Sequence, residues 1–417
     1  MPTIRILPLT LFISLIPSVA MAQDEVIVVT RQVQESRYPV AVMPFADAGR
    51  ITDNLTLAGL GATAQNLPQN TTNATDIVNN LSTWRNQGFR QVVLVQTHTM
   101  PANKLAISYQ LVDTTTGSVG AKQTQVSENN STALAASYAQ ISDKIYQSIT
   151  GKPSDLVGKI AFVEETGLPS NKTSMLKLVD MSGKNLATLD TVNGSIMTPS
   201  FSPDGRYIAY SVQSKNALPV IYVRSLDNNQ VQMVTPFWGH NLAPSFSPDG
   251  GSLIFSGSHE ANNPNIYRLN LAANSLEKLT SLSGAENSPS YLPDGTGFVY
   301  TADHGTRSQS LQKYDFATGK STQLVARGSN PRVSADGSKI IYTAAGRIII
   351  VNQQGKTLQS FAVAGTETAA SFSPSGSRIV YAVNQGNQSQ LMIRSLSNNA
   401  VQTLPTTGVV RDPVWSK

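Results

Sequence analysis

The side chains that could do chemistry here are histidines, acids and hydroxyls, because the 417-residue chain contains no cysteine. That excludes thiolate metal sites, cysteine nucleophiles, disulfide frameworks and a cysteine-linked lipid anchor. Histidines stand only at 98, 240, 259 and 304. None are paired at the spacing that lets two imidazoles share a zinc ion on one helix face. The sequence has no Gly-x-Ser-x-Gly elbow, no phosphate loop and no dinucleotide fingerprint. His259 with Glu260 is a scattered acid–base candidate. Asp204, Asp249, Asp294 and Asp336 recur at regular spacing and invite a metal reading. A simpler reading is a turn role, since an Asp in a turn bonds its own backbone, and Ser375, which replaces it in one copy, can do the same. His240 is different. It lies in the connection Trp238-Gly239-His240-Asn241-Leu242-Ala243-Pro244, which is expected near one mouth of a ring. The alternative is a solvated loop histidine. No cofactor or metal is implied by these residues.

The element that must position His240 is a repeat. Pro-Ser-Phe-Ser-Pro-Asp-Gly at 199–205 recurs at 244–250, and as Pro-Ser-Tyr-Leu-Pro-Asp-Gly at 289–295. Weaker copies start at 331 and 370, and Pro413-Val414-Trp415-Ser416 is a truncated one; the intervals are 45, 45, 42, 39 and 43 residues. Such periods with short strands mark propeller blades. In each, proline presets one turn angle and glycine accepts positive φ. A short β-branched or aromatic run follows, such as Tyr207-Ile208-Ala209-Tyr210 or Ile379-Val380-Tyr381, as expected of a strand buried on both faces. Residues 159–198 carry later strands without an opening one, whereas 413–417 carry an opening strand with nothing after it. Ring closure reconciles the two ends and removes an open sheet edge. The expected fold is an α+β N-terminal domain followed by an all-β six-bladed propeller over 156–417, closed by the C-terminal strand. Trp415, at the place of Phe201, Phe246 and Phe372, is expected between blades.

The first half reads as a small α/β domain over 37–155. Strands are expected at 38–45 and 91–95, helical spacing at 55–67 and 77–86, and a hairpin over 105–126. A helix is expected over 133–149, capped by Ser131 or Thr132 and stopped by Gly151. The linker lies near Lys152-Pro153-Ser154-Asp155.

Composition agrees with a folded, exported protein. Apolar residues make up 40% and charged residues 14%, which permits a packed core. The net charge of +5 is small and no Lys/Arg run exists, which argues against nucleic-acid binding. Arg5, the apolar stretch Ile6 to Val19 and Ala20-Met21-Ala22 read as a cleavable leader over 1–22, with the mature chain starting at Gln23. No later stretch is long enough to span a bilayer. The segment 23–36 opens with Glu25-Val26-Ile27-Val28-Val29-Thr30, strongly β-prone. It is either an ordinary first strand or a detachable segment that docks by strand addition.

The combination resembles the TolB family, periplasmic components of the Tol-Pal system of Gram-negative bacteria. The residues that carry the resemblance are Tyr38 to Phe45, Tyr109 to Thr114, Lys159 to Val163, His240-Asn241-x-Ala243-Pro244 and the ending Pro413-Val414-Trp415-Ser416. It implies a periplasmic, monomeric, non-enzymatic protein that binds the lipoprotein Pal at the propeller mouth and TolA through its N-terminal segment. It also implies a role in envelope integrity and in constriction at cell division. The TolA segment falls on Glu25 to Ser36, with Glu25, Val26, Ile27, Val28, Val29 and Thr30 as contacts. On the Pal face, His240 and Ala243 match family contact positions. The family's Thr-Glu is Asn287-Ser288 here, which loses a carboxylate, and Glu286 lies two residues upstream of Ser288 as its substitute. The competing readings are a propeller enzyme and a ligand-binding propeller, each with its site in the central channel.

Overall fold

The computed structural model describes residues 38–68, 71–168, 171–260, 263–303, 308–363, 369–385 and 388–416. The expected leader 1–22 and the segment 23–36, with Glu25 to Thr30, lie outside the described residues.

The N-terminal α/β segment is built on a five-stranded sheet in the order Gly61–Ala64, Pro39–Val42, Gln91–Met100, Lys104–Asp113, Gln123–Glu128. The first three strands are parallel and the rest antiparallel. The alternation of Val40 and Val42 against Ala41 sends side chains to opposite faces, and each face has its own core. One face meets Ile51 and Leu55 of the helix Ala48–Ala58 and Tyr138, Ile141 and Ile145 of the helix Ser131–Thr150. The other meets Ile77 and Trp84, from the short helices Ala74–Asn79 and Leu81–Asn86.

Two local expectations are corrected. Helical spacing over 55–67 gives way to a helix that ends earlier and a strand, Gly61–Ala64. Gly59, at φ 114°, takes the left-handed cap, and its N–H bonds the Leu55 and Thr56 carbonyls. Pairing with Pro39–Val42 then outweighs helical spacing. The last helix is capped by Asn130, whose side chain accepts from the Ala133 N–H at 2.9 Å, and not by Ser131 or Thr132. Gly151 stops it as expected, at φ 69°.

From Lys159 onward the fold is a β-propeller. Four separate four-stranded antiparallel sheets begin with Asn241–Phe246, Glu286–Tyr291, Ser329–Val333 and Ala370–Phe372. A seven-stranded sheet holds the remainder, and its long strand Ala187–Phe201 pairs through its first half with Asn171–Asp180 and through its second half with Tyr207–Ser214. The last strand, Val409–Trp415, pairs antiparallel with Lys159–Leu168. The first strand of each sheet touches that of the next in chain order, and Val409–Trp415 touches both Ala370–Phe372 and Ala187–Phe201. Cores form between neighbouring sheets, as where Phe246, Phe255 and Tyr267 meet Ala209 and Ile221. Trp415 is 6% exposed, packed with Ile160 and Phe162 on one side and Val380 and Ile393 on the other.

Candidate partner-binding mouth

The repeated aspartates hold turns. Asp204 Oδ1 accepts from Ser202 Oγ at 2.5 Å and from the Arg206 N–H at 3.1 Å. Asp249 and Asp336 repeat the arrangement with Ser247 and Ser334, and Asp294 bonds Thr296. The Ser202 hydroxyl and the Arg206 N–H hold the Asp204 carboxyl below its ordinary range. Among the described residues, no group of three His, Asp or Glu side chains is placed to hold a metal ion. His259 and Glu260 do not converge on a common point. The His259 ring meets Phe237, Phe255 and Tyr267 edge-on at 5.3, 5.8 and 4.6 Å, while Glu260 pairs with Lys278 at 3.2 Å.

The copy in which Ser375 replaces Asp has a specific reason for its difference. Ser375 keeps the turn role, its Oγ accepting from the Ser377 N–H at 3.1 Å, and Asp155, fully buried in the linker, adds a carboxylate: Oδ1 accepts from the Ser375 N–H at 2.9 Å, and Oδ2 pairs with Arg378 at 2.8 Å. Arg378 also donates to the Leu57 and Ala58 carbonyls at 3.1 Å, at the end of the helix Ala48–Ala58. The α/β segment therefore docks at the turn end of the propeller.

His240 lies at the other end, where the inner strands begin. Asn241 is buried and fixes this connection, donating to the carbonyls of Pro219, Phe237 and Gly239 at 3.1–3.2 Å. His240 itself is exposed, with its backbone N–H on Ser258 Oγ at 2.9 Å. Beside it Trp238 is 82% exposed, although its carbonyl is fixed 2.7 Å from His259 Nδ1. A large apolar side chain is thus held out in solvent on an ordered backbone.

Below this rim is a feature the sequence reading missed. The residue before each motif proline has positive φ: Thr198 48°, Ala243 54°, Ser288 50°, Asn330 54° and Asp412 50°. Each sits where the pairing register shifts, so each is a bulge on an inner strand. Non-glycine residues in this region cost on the order of 1–2 kcal/mol each. Contacts between inner strands offset that cost. Asp412 Oδ2 accepts from the Thr198 N–H at 3.0 Å, Thr198 Oγ accepts from the Ala243 N–H at 3.1 Å, and Ser288 Oγ meets Asn330 Oδ1 at 3.1 Å. Ala243 and Ser288 thus belong to one ring of bulges, together with Thr198, Asn330 and Asp412. Only Asn330 and Asp412 carried a signal in the sequence, since Asn and Asp are enriched in this backbone region, whereas a β-branched residue such as Thr198 is rare there.

Asn287 accepts from Ser256 Oγ at 3.0 Å and stays partly exposed. Glu286 does not fit the contact role expected of it. It is fully buried, and its Oε2 accepts from Asn265 at 2.9 Å and from the Leu282 N–H at 3.2 Å, which ties down the preceding connection. On the other side of the ring, Arg411 donates to Glu165 at 2.5 Å and to Asp412 at 3.3 Å. Burial raises the Glu165 carboxyl, but Arg411, Lys172 and Ser174 more than reverse it and hold it below its ordinary value.

A family model described as the TolB beta propeller domain matches residues 146–417. The chain belongs to the TolB family. Among similar proteins, the Tol-Pal system protein TolB of Actinobacillus succinogenes is 30% identical over 236 residues, covering 53% of each chain. That of Thioalkalivibrio sulfidiphilus is 30% identical over 246 residues, covering 56% of this chain and 55% of the relative. The chain thus spans about half the length of the curated relatives it matches. The crystal structure of TolB from Acinetobacter baumannii is similar over 92% of this chain and 97% of that one, with TM-score 0.79 and 28% identity. Among the described residues no helix is long and apolar enough to cross a membrane.

Proposed function

We propose that this chain is a periplasmic, monomeric, non-enzymatic binding protein of the Tol-Pal envelope complex. It holds Pal at the propeller mouth and TolA through Glu25 to Thr30, and so supports outer-membrane integrity and constriction at division. Its propeller has six blades, with the long strand Ala187–Phe201 shared by two of them and Val409–Trp415 completing the blade begun at Lys159. Membership of the TolB family supports this reading, as does the contact of Val409–Trp415 with both neighbouring inner strands.

The observation that carries the binding role is the rim. Trp238 is 82% exposed on a connection fixed by Asn241 and His259, with His240 beside it. Tryptophan held rigid and open is the residue type that dominates binding energy at protein interfaces. The bulge ring with Ala243, Asn287 and Ser288 forms the floor beneath. Glu286 serves the site indirectly, by holding the connection before Asn287.

Titration calorimetry of residues 23–417 against the cognate Pal domain tests this. Binding that His240→Ala weakens at least tenfold supports the mouth as the site. A folded chain that does not bind Pal overturns the role.

A further inference from the structure

The residue two places after the bulge is serine at three of the five, Ser200, Ser245 and Ser290, and Ser371 holds the equivalent place on Ala370–Phe372; the closing strand has Val414 there. Three of these stitch neighbouring inner strands together. Ser245 Oγ accepts from the Tyr291 N–H at 3.2 Å, Ser290 Oγ from Val333 at 3.2 Å, and Ser371 Oγ from Trp415 at 3.4 Å. Ser329–Val333 departs from this rule. Its residue is Arg332, and a guanidinium has no acceptor to offer such a stitch.

Arg332 makes no hydrogen bond or ion pair with any described residue, yet it is partly buried on an inner strand. Burial disfavours its charge, and the opposing influence comes from Asp412, two inner strands further round the ring. Asp412 is engaged elsewhere, by the Thr198 N–H and Arg411 Nη1. A cation held among the inner strands without a partner is open to an anion, and a guanidinium fork matches two oxygens of one anion.

We propose that Arg332 anchors an oxyanion site inside the ring of inner strands, taking a phosphate-like ion or a carboxylate. The anion is either free in solution or a carboxylate side chain carried by a docked partner. The second source rests on the binding role proposed above; the first does not.

Thermal unfolding of residues 23–417 is measured against inorganic phosphate, with sodium chloride balancing ionic strength. The wild type is expected to gain several degrees in Tm. Arg332→Ser, which installs the residue found at Ser200, Ser245, Ser290 and Ser371, is expected to fold and to lose the gain. Arg332→Lys, which keeps the charge but not the fork, is expected to lose most of it. The same gain in Arg332→Ser as in the wild type, or no gain in the wild type, overturns the site. A calorimetric arm with the Pal domain separates the sources. Phosphate that competes with Pal in the wild type but not in Arg332→Ser assigns the oxygens to the partner, and absence of competition assigns them to the free ion. Because the phosphate arm needs no Pal, failure of the binding role and failure of this site remain distinguishable.

Discussion

The two ends of the propeller use the same repeat for opposite purposes. At the turn end, the copy without its aspartate receives Asp155, which is fully buried and bonded to Ser375 and Arg378. Both buried charges of that pair have partners within the chain. At the mouth, Trp238 stands 82% exposed, and further in, on Ser329–Val333, Arg332 has no partner among the described residues. An interface that is already filled shows paired charges and satisfied carbonyls. A surface kept for something else shows ordered backbone under unpaired side chains. The contrast fits the binding role proposed for the mouth and leaves the filled contacts of the junction and of the Val409–Trp415 pairing to stability.

The contrast can be broken or sharpened by experiment. The largest effect is expected at the seam. Deleting 413–417 removes Trp415 and the end of the closing strand, so it should cost more than the ~3–5 kcal/mol of truncating one buried tryptophan. Denaturant unfolding that leaves stability unchanged would contradict closure by this strand. Next is the junction: Asp155→Ala strands Arg378 in a buried site and should cost about 3–5 kcal/mol, read as a lower denaturation midpoint. A similar loss from a substitution at Trp238 would erase the distinction between the two ends.

A smaller effect is expected in acid. Burial disfavours the Glu164 charge, but hydrogen bonds from Thr407 and Lys177 outweigh it, so its carboxyl titrates below the ordinary value of 4.5. A depressed folded value contributes stability above the unfolded one and loses it as pH falls through the folded one. Stability should therefore drop as pH falls below about 4.5, and Glu164→Gln should flatten that part of the profile. The smallest effect on stability belongs to the rim. Trp238→Ala should change unfolding by no more than ~0.5 kcal/mol, while weakening Pal by about 2 kcal/mol or more. Calorimetry and melting of the same variant check both halves.

Much of the fold was legible because propeller repeats write themselves into the chain. The Ser-Pro-Asp-Gly turns and the apolar runs after them appear as strands where expected, and Asp204 and its equivalents hold those turns. The 55–67 helix was misread because local spacing cannot register the pairing of Gly61–Ala64 with Pro39–Val42, twenty-two residues away in sequence. The expected contact role of Glu286 failed for a similar reason. Its neighbours Asn265 and Leu282 come from other connections, and only their arrival buries it. Trp238 was visible as a residue, but its exposure was not.

The sequence alone determined the periodicity, the turn chemistry and the absence of thiol chemistry, because these depend on residue type and on neighbours a few positions away. Tertiary structure alone decided three things. It matched Ser375 with Asp155, 220 residues apart. It set five different residues before proline into one ring of bulges, and it left Arg332 charged without a partner. Each depends on which strands meet across the ring, and such meetings follow from packing between distant segments that no local pattern encodes.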